Sequence, residues 1–409
     1  PHNLQQHSRK PLMSFEQTNE NVTETPYLTG HRFDSTVAKR LFQISNMVRL
    51  ETVNCEGIFQ TGKLISSDIS RGDSRGSIAD TTYIKLSSDC HNFRFVRGYI
   101  TSTLTNEEAN FPLAYSIMVY TDAEMVEKLL RAIYRPQNYY CIHVDKKSTD
   151  VFYRAMSSIA KCFSNVFLTS KRIDVQWGKF SVLEPELQCM KELCKYPKWK
   201  YFLNLTGQEY PLKTNFELVK ILTAYDGAND IECKIQSADN SRWNNSVPPH
   251  GIQGVKGSVH IAVNRDFVDY VLHNNISKSF MLWSKNTIVP DETYFASLQC
   301  NPQLGIRGSY KGKSVDTKPY LTRYKQWEDE GPCAGRFVRR VCILSTGDLP
   351  RLGKAKELFA NKFYLDEDRI VVGCLEEQLF NNTRDEYMGI KTFNADYYTS
   401  LDFVKNKVI

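Results

Sequence analysis

Apolar runs typical of strands alternate with stretches of helical spacing from residue 113 onward, and this alternation constrains the fold more than any other feature. The strand-like runs are continuous rather than alternating in polarity, which is typical of strands buried on both faces of a parallel sheet. The runs predict strands at 113–120, 139–144, 166–169 and 201–205, and helices at 122–134, 151–163 and 181–194. We therefore expect an α/β fold with a mainly parallel central sheet flanked by helices.

The chain divides into three parts by composition. Residues 1–50 are polar and lack sustained periodicity, which predicts a flexible stem. Residues 51–112 are mixed and contain Cys55 and Cys90, so we expect an N-terminal extension held down by disulfides. Residues 113–409 form the main domain.

Charge and hydropathy exclude several partners. Lys plus Arg is 52 and Asp plus Glu is 46, a net charge of +6 spread over 409 residues, so no nucleic-acid partner is expected. No apolar run is long enough to cross a bilayer. The chain starts at Pro1 rather than Met, and we expect that an N-terminal signal peptide or membrane anchor has been removed.

Eleven cysteines favour an oxidising compartment, because they include no CxxC and no Cys/His zinc spacing. No metal site is predicted. The sequons agree with a secretory chain, and they stand at Asn21, Asn204, Asn244, Asn275 and Asn381. Asn204 ends an apolar strand, so we expect it to be unmodified.

Parallel sheets bind ligands at the carboxyl ends of their strands, which selects the candidate segments. They are residues 143–147, residues 204–211, Pro290-Asp291-Glu292, and the arginines of the 333–342 loop together with Lys362. Each segment also has a non-functional interpretation. In the same order, these are a solvated turn, a strand-to-helix turn, helix capping by the two carboxylates, and a solvated basic surface. The glycine patterns of dinucleotide and P-loop sites and the GxSxG elbow are absent, and Asp366-Glu367-Asp368 indicates a solvated acidic loop.

Five strings in order resemble the core 2/I-branching β-1,6-N-acetylglucosaminyltransferase family. They are LLRAIYRPQNYYCIHVDKKS at 129–148, WKYFLNLTGQEYPLKTN at 199–215, PDETYFASLQ at 290–299, PC…RRVC…GDL at 332–349 and LFANKF at 358–363. The resemblance covers most of residues 50–380. It implies a GT-A-like fold and a type II membrane enzyme whose catalytic domain lies in the Golgi lumen.

The resemblance also implies roles for single residues. Glu292 matches the family's catalytic base, and Arg339 and Lys362 match an Arg and a Lys that hold the donor diphosphate without a metal. His143 and Asp145 lie on the nucleotide side. The positions that match acceptor-binding residues are Glu232, Arg242, Trp243 and Trp327.

This sequence departs from the family on the acceptor side. Asp239 stands where the family has a Lys, and the family's paired Trp and Tyr are reduced to Trp327. The string Val175-Gln176-Trp177-Gly178 is similar to that of the peptide O-xylosyltransferases.

The resemblance pairs eight of the cysteines: Cys55 with Cys374, Cys90 with Cys162, Cys141 with Cys189, and Cys333 with Cys342. Cys194, Cys233 and Cys300 are left over. They allow one further bridge, for example Cys233 to Cys300, and leave at least one thiol unpaired within the chain.

The resemblance implies an inverting, metal-independent transfer of GlcNAc from a UDP-sugar to the 6-hydroxyl of a Gal or GalNAc acceptor on O-glycans or glycoproteins. No cofactor is expected, and a homodimer is an open expectation. The alternatives are UDP-glucose or UDP-xylose as the donor, or a non-catalytic glycan-binding protein of the secretory pathway.

Overall fold

A computed structural model describes residues 34–64, 77–236, 238, 240–244, 246–313, 315–316 and 319–409. Its central sheet has six strands in the order β3-β2-β1-β4-β7-β6. Their bounds are Leu113–Val119 (β1), Tyr139–Val144 (β2), Val166–Leu168 (β3), Tyr201–Thr206 (β4), Asp230–Ile231 (β6) and Ile261–Asn264 (β7). Strands β3, β2, β1 and β4 are parallel, and β7 is antiparallel to both β4 and β6. The predicted mainly parallel α/β sheet is confirmed.

Consecutive residues of β1, β2 and β4 are buried, as their continuous apolar sequences require. Helices cover the sheet: Asp150–Ala160 (α7) packs on β3, Glu184–Leu193 (α8) on β1 and β2, and Arg265–His273 (α10) on β4 and β7. The other described helices of this domain are Ala123–Ile133 (α6), Asn215–Ala224 (α9), Asn275–Ser284 (α11), Tyr294–Gln299 (α12), Leu349–Leu352 (α13), Arg369–Tyr387 (α14), Asp396–Thr399 (α15) and Asp402–Lys405 (α16).

Two smaller strand groups lie beside the main sheet. Glu209–Pro211 (β5), Phe359–Asn361 (β11) and Arg323–Tyr324 (β8) form a three-stranded sheet in the order β5-β11-β8. Arg336–Val338 (β9) and Val341–Ile343 (β10) form an antiparallel hairpin. The three-stranded sheet brings segments from three distant parts of the sequence to the carboxyl end of β4.

The described part of the N-terminal region is helical. Its helices are Ser35–Val48 (α1), Cys55–Thr61 (α2), Asp80–Leu86 (α3), Cys90–Val96 (α4) and Asn106–Asn110 (α5). Asp34 caps α1 by accepting from the backbone N–H of Thr36, and α1 buries Leu41 and Ile44 while packing along α14. The predicted stem of residues 1–50 is therefore wrong for 35–48, whose apolar stripe is short but helical. Residues 1–33 lie outside the described range.

Five disulfides join the described chain. Four are the pairs implied by the resemblance, and Cys233–Cys300 is the fifth. Cys55–Cys374 and Cys90–Cys162 span 319 and 72 residues and join the N-terminal helices to the main domain. Cys194 is the free thiol of the described residues.

The Asn204 side-chain amide makes two hydrogen bonds to the backbone of residues 259–261. Its Nδ2 donates to the carbonyl of Val259 at 2.8 Å, and its Oδ1 accepts from the backbone N–H of Ile261 at 2.7 Å. The side chain is buried, so a glycan at this sequon is incompatible with the folded sheet. Among the described helices, none combines the length and apolar character needed to cross a bilayer.

Candidate functional site

A pocket of about 220 Å³ opens at the carboxyl ends of β1, β2 and β4, where a parallel sheet binds its ligands. It is lined by Met118, Val119, Tyr120, Thr121, His143, Asp145, Val175, Thr206, Gly207 and Gln208. The pocket thus contains both residues predicted on the nucleotide side. Gly207 has a steric reason to be glycine, because a Cβ there would lie 2.9 Å from Val126 Cγ2.

His143 holds the pocket wall rather than carrying charge. Its Nε2 accepts a hydrogen bond from the backbone N–H of Ile173 at 2.9 Å. Burial lowers the pKa of His143 to about 4, so the ring is neutral near pH 7. The predicted residue therefore lines the pocket as a neutral group that positions the loop after β3.

Lys147 joins Asp145 to the same loop. Its Nζ lies 3.0 Å from Asp145 Oδ2 and 3.0 Å from Asp174 Oδ1, and it also donates to the carbonyl of Val175. The Asp145 side chain is largely buried at the pocket edge. A carboxylate fixed in this way can accept hydrogen bonds from a ribose or a base edge.

The short 3₁₀ turn Pro290–Glu292 places the second predicted group. The N–H of Val289 donates to the carbonyl of Gly178 at 3.0 Å, and the N–H of Ile288 donates to the carbonyl of Arg242 at 2.7 Å. Val289 has φ +53°, a strained value for a β-branched residue. The loop after β3 and the Arg242 segment therefore impose the conformation of this turn.

Glu292 and its neighbour Asp291 have opposite environments. Glu292 is 31% exposed and pairs with Arg242, whose Nη1 lies 2.7 Å from its Oε2. Asp291 is buried, and burial followed by the adjacent Glu292 charge raises its pKa to about 7. Glu292 is the accessible carboxylate, which a general base must be.

Lys325 lies between Glu292, the predicted base, and the predicted acceptor side. Its ammonium lies 3.2 Å from Ser258 Oγ and 5.7 Å from the centre of the Trp327 ring. Burial lowers the pKa of Lys325, while the charges of Glu209, Glu232 and Glu292 oppose that effect. The sequence interpretation did not single out Lys325, although it stands two residues before Trp327.

Two predicted acceptor residues border this centre. Trp327 is 36% exposed and Glu232 pairs with Lys234 at 2.9 Å. The carbonyl of Glu232 would lie 2.2 Å from a Cβ at Gly257, and Gly257 donates its N–H to the carbonyl of Glu292 at 2.7 Å. Glu232, Glu292 and Trp327 are thus brought together, and Asp239 lies outside the described residues.

Trp243 lies next to Arg242 and is largely buried. Its ring is buried, packs over Gly254, and donates Nε1–H to Thr293 Oγ1 at 3.2 Å. The predicted acceptor contact of Trp243 stays a prediction. The neighbouring Arg242 reaches Glu292, and Trp243 anchors the segment that carries Arg242.

Lys362 follows β11 and lies next to the pocket. The flanking Phe363 donates its N–H to the carbonyl of Gln208, a pocket residue, at 2.8 Å. The Lys362 carbonyl accepts from the N–H of Leu344, and its ammonium lies 5.5 Å from the centre of the Tyr364 ring. The Lys362 backbone therefore lies beside this pocket, which we name the donor-side pocket after the two residues predicted on the nucleotide side.

Arg339 lies at the exposed tip of the β9–β10 hairpin with φ +51°. The other two arginines of the loop have acidic partners: Arg336 pairs with Glu367 at 2.5 Å and Arg340 with Asp329 at 3.3 Å. Arg339 makes no ion pair within the described residues.

A buried ion pair supports the floor of the site. Arg323 Nε lies 2.7 Å from Glu209 Oε2, and both side chains are fully buried. Glu209 Oε1 also accepts from Thr206 Oγ1 at 3.1 Å and from Asn361 Nδ2 at 3.0 Å. These bonds link β4, β5, β8 and β11, and so hold the pocket wall and Lys362 in one frame.

Within the described ranges, no group of three or more His, Cys, Asp or Glu side chains is arranged to hold a metal ion. The Asp366-Glu367-Asp368 segment has other roles. Asp368 caps α14 by accepting from the N–H of Ile370 at 2.8 Å, and Glu367 pairs with Arg336.

Comparison with known proteins agrees with this geometry. The model of the Core-2/I-Branching enzyme family matches residues 113–353. A human beta-1,3-galactosyl-O-glycosyl-glycoprotein beta-1,6-N-acetylglucosaminyltransferase is 38% identical in an alignment that covers 73% of this chain and 76% of the human protein.

Two further relatives cover more of the chain. The rat enzyme of the same name, type 3, is 32% identical over 83% of this chain and 85% of its own length. The mouse type 4 enzyme is 35% identical over 86% of this chain and 84% of its own length. The chain therefore belongs to the Core-2/I-branching enzyme family of glycosyltransferases, with a GT-A-like α/β fold.

Proposed function

We propose that this chain transfers GlcNAc from a UDP-sugar to the 6-hydroxyl of a Gal or GalNAc residue on an O-glycan, with inversion and without a metal. The observation that carries the proposal is the accessible Glu292 carboxylate beside Arg242, on a turn bonded to the loop of the donor-side pocket. The activity in the names of the relatives supports the donor and acceptor classes.

In the proposed reaction, Glu292 removes the proton of the acceptor hydroxyl as its oxygen bonds to the anomeric carbon of the donor. The bond from that carbon to the diphosphate oxygen breaks, and UDP leaves with the electron pair. Arg339 and Lys362 offset the charge that develops on the diphosphate. A single displacement converts an α-linked donor into a β-linked product.

The substrate contacts follow from the same positions. Asp145 accepts hydrogen bonds from the nucleoside, with His143 holding the pocket wall. Glu232, Arg242 and Trp327 border the acceptor side, and the Trp327 ring supplies an apolar face on which a sugar can pack.

Five disulfides require an oxidising compartment, which supports placement in the lumen of the Golgi. Three further expectations stay predictions. They are the membrane anchor, the homodimer, and the division into stem, extension and catalytic domain, with residues 35–48 now helical rather than part of the stem.

The test is acceptor-dependent UDP release measured for a panel of UDP-sugars with wild type and Glu292→Gln. We expect release with UDP-GlcNAc and an O-glycan core, and a loss of about 10²-fold or more in the variant, because a general base contributes that much. UDP binding should be retained, since Glu292 lies outside the pocket lining.

Three outcomes would contradict the proposal. Preference for UDP-glucose or UDP-xylose would change the donor, and wild-type turnover by the variant would remove Glu292 from its role. Binding of glycan without release for any donor would favour a non-catalytic glycan-binding protein.

A further inference from the structure

The sequons within the described residues differ in what their asparagine side chains do. Asn204 is buried, and both ends of its amide are bonded inside the sheet. Asn275 is exposed, and its side chain makes no hydrogen bond or ion pair within the described residues. An asparagine that is free at the surface can carry a bulky polar group without loss of a native contact.

Asn275 is the first residue of α11 and has no task in starting that helix. The capping residue is Asn274, whose Oδ1 accepts from the backbone N–H of Ile276 at 2.8 Å. Lys278, three residues after Asn275 on the same helix face, is also exposed. A group attached to Asn275 would therefore extend from this face into solvent.

Ser277, the hydroxyl residue of the same sequon, faces the interior. Residues two apart on a helix are separated by about 200° around its axis, so an exposed Asn275 places Ser277 on the buried side. The Ser277 hydroxyl donates to the carbonyl of Val271 at 2.8 Å and lies 2.7 Å from the hydroxyl of Tyr294. The folded chain thus presents the acceptor amide and encloses the hydroxyl by which a sequon is recognised.

The remaining two described sequons have engaged amides. Asn244 is exposed, but its Nδ2 donates to the carbonyl of Asn286 at 2.7 Å. Asn381 is half-buried, and its Oδ1 accepts from Arg384 Nη1 at 3.2 Å. The Arg384 guanidinium in turn lies 5.1 Å from the centre of the Phe42 ring of α1. A glycan at either position would crowd contacts between separate segments.

We propose that Asn275 carries an N-linked oligosaccharide, alone among the four described sequons, and receives it before α11 packs. In the reaction, Asn275 Nδ2 bonds to the anomeric carbon of the first sugar of an oligosaccharide carried on a polyprenyl diphosphate. The bond from that carbon to the diphosphate oxygen breaks, the diphosphate leaves with the electron pair, and the amide loses one proton. The inference rests on the lumenal placement proposed above and not on the transfer of GlcNAc by this chain.

The order of modification and folding follows from the buried hydroxyl. Because Ser277 is bonded inside the fold, an oligosaccharyltransferase can recognise this sequon only while α11 is unpacked. The glycan then stays outside as Ser277 moves inside, so that early modification is compatible with the native helix. The same event at Asn204 would block the bonds within the sheet, and folded chains should lack it.

The test uses the full chain, secreted from a eukaryotic host behind a signal peptide and purified as the folded fraction. Its peptides are treated with peptide-N-glycosidase in heavy-oxygen water, which converts a glycosylated Asn into a labelled Asp, and are then read by mass spectrometry. A sample without the glycosidase reports spontaneous deamidation. We expect label at Asn275 and none at Asn204, Asn244 or Asn381.

An unlabelled Asn275 in secreted, folded chains would overturn the assignment. Label at Asn244 or Asn381 would overturn its restriction to one described sequon. A chain that is not secreted would contradict the lumenal placement and the inference with it. Acceptor-dependent UDP release from the same sample reports the proposed function separately, so its failure is distinguishable from that of the inference.

The variant Asn275→Gln should lose the mass of one glycan per chain, because it removes the acceptor nitrogen from the sequon at an exposed, contact-free position. Asn274→Ser is the matched control: it keeps a good capping residue one position earlier, lies outside the sequon, and should keep the glycan. Equal glycan content in wild type and Asn275→Gln would contradict the site.

A second experiment tests the order of events. The chain is made in a bacterial periplasm without this modification and is offered, either folded or reduced and alkylated, to purified oligosaccharyltransferase with its lipid-linked oligosaccharide. We expect Asn275 to be modified in the unfolded chain and not in the folded one. Equal modification of both forms would contradict the requirement for an unpacked α11.

Discussion

Asp291 and Glu292 show how far neighbouring carboxylates can differ. Asp291 is buried with Oδ1 lacking a hydrogen-bond partner among the described residues, whereas Glu292 faces Arg242 and solvent. The sequence places both in one string and leaves helix capping as an alternative for both. The backbone turn at 290–292 orients the two side chains differently, so that Asp291 is buried and Glu292 is accessible to solvent.

The raised pKa of Asp291 predicts a pH dependence of stability. Its ordinary pKa is near 3.8 and its folded value is about 7, so between these values the folded state binds more protons than the unfolded state. Stability contributed by the protonated group is complete below about pH 4 and is lost as pH rises toward 7. Asp291→Asn should remove this loss.

The measurement is the urea midpoint of wild type and Asp291→Asn at several pH values between 4 and 7. The difference between them should grow in favour of the variant as pH rises. Asp269→Asn, at a 70% exposed side chain, is the control. Parallel profiles for wild type and Asp291→Asn would contradict the assigned shift.

At the scale of elements, the β9–β10 hairpin controls where its arginines can act. The disulfide Cys333–Cys342 and the ladder between β9 and β10 close the loop. Arg336 and Arg340 are engaged by acidic partners, and Arg339 is presented at the tip. A guanidinium held on a closed loop loses less conformational freedom on binding a diphosphate.

We expect Arg339→Gln to raise the KM for the UDP-sugar by roughly 10- to 100-fold, the value of one charge-assisted hydrogen bond. Arg340→Gln, which removes a cation one residue away, is the matched control and should change KM little. Wild-type activity should persist in EDTA. Loss of activity in EDTA that manganese restores, or equal effects of the two variants, would contradict the role of Arg339.

Sequence patterns predicted the long elements and the short strand β3, but missed the short strands β5, β8 and β11 beside the main sheet. Strands β1, β2 and β4 are continuous apolar runs, and their observed bounds lie within one residue of the predicted ones. Strands β5, β8 and β11 have two or three residues. Strand β11 pairs with β5 across more than 100 positions, as Asn361 does with Glu209, and with β8 through Phe359 and Arg323. Such short strands have no hydrophobic periodicity in the sequence. The position of Lys362 near the site could therefore be predicted only from the resemblance to the family.

At the scale of the whole molecule, the disulfides divide into two kinds. Cys55–Cys374 closes 319 residues and joins α2 to α14, whereas Cys333–Cys342 closes nine residues within the hairpin. In the chain-entropy account, longer loops contribute more stability, because crosslinking removes more freedom from the unfolded chain.

We expect Cys55→Ser with Cys374→Ser to lower the free energy of unfolding by about 3 kcal/mol more than Cys333→Ser with Cys342→Ser does. Urea denaturation of the two double variants measures the difference. The hairpin variant should instead show the larger rise in KM for the UDP-sugar. A reversed order in the unfolding free energies would contradict this division.

The helix α1 shows why composition alone does not predict every element. Residues 35–48 are polar enough to be grouped with a stem, yet their few apolar side chains are buried against α14. The burial depends on a partner more than 300 residues away. Nothing within a short window of sequence could supply that partner.

The turn before Glu292 has a consequence for how such an enzyme can diversify. Its strained Val289 is held by Gly178, from the donor-side loop, and its neighbour Ile288 by Arg242, from the acceptor side. The orientation of Glu292 therefore depends on both segments. With Glu292 as the proposed base, a substitution that changes sugar preference in either segment is expected to change turnover as well, so that selectivity and rate would evolve together rather than as separate traits.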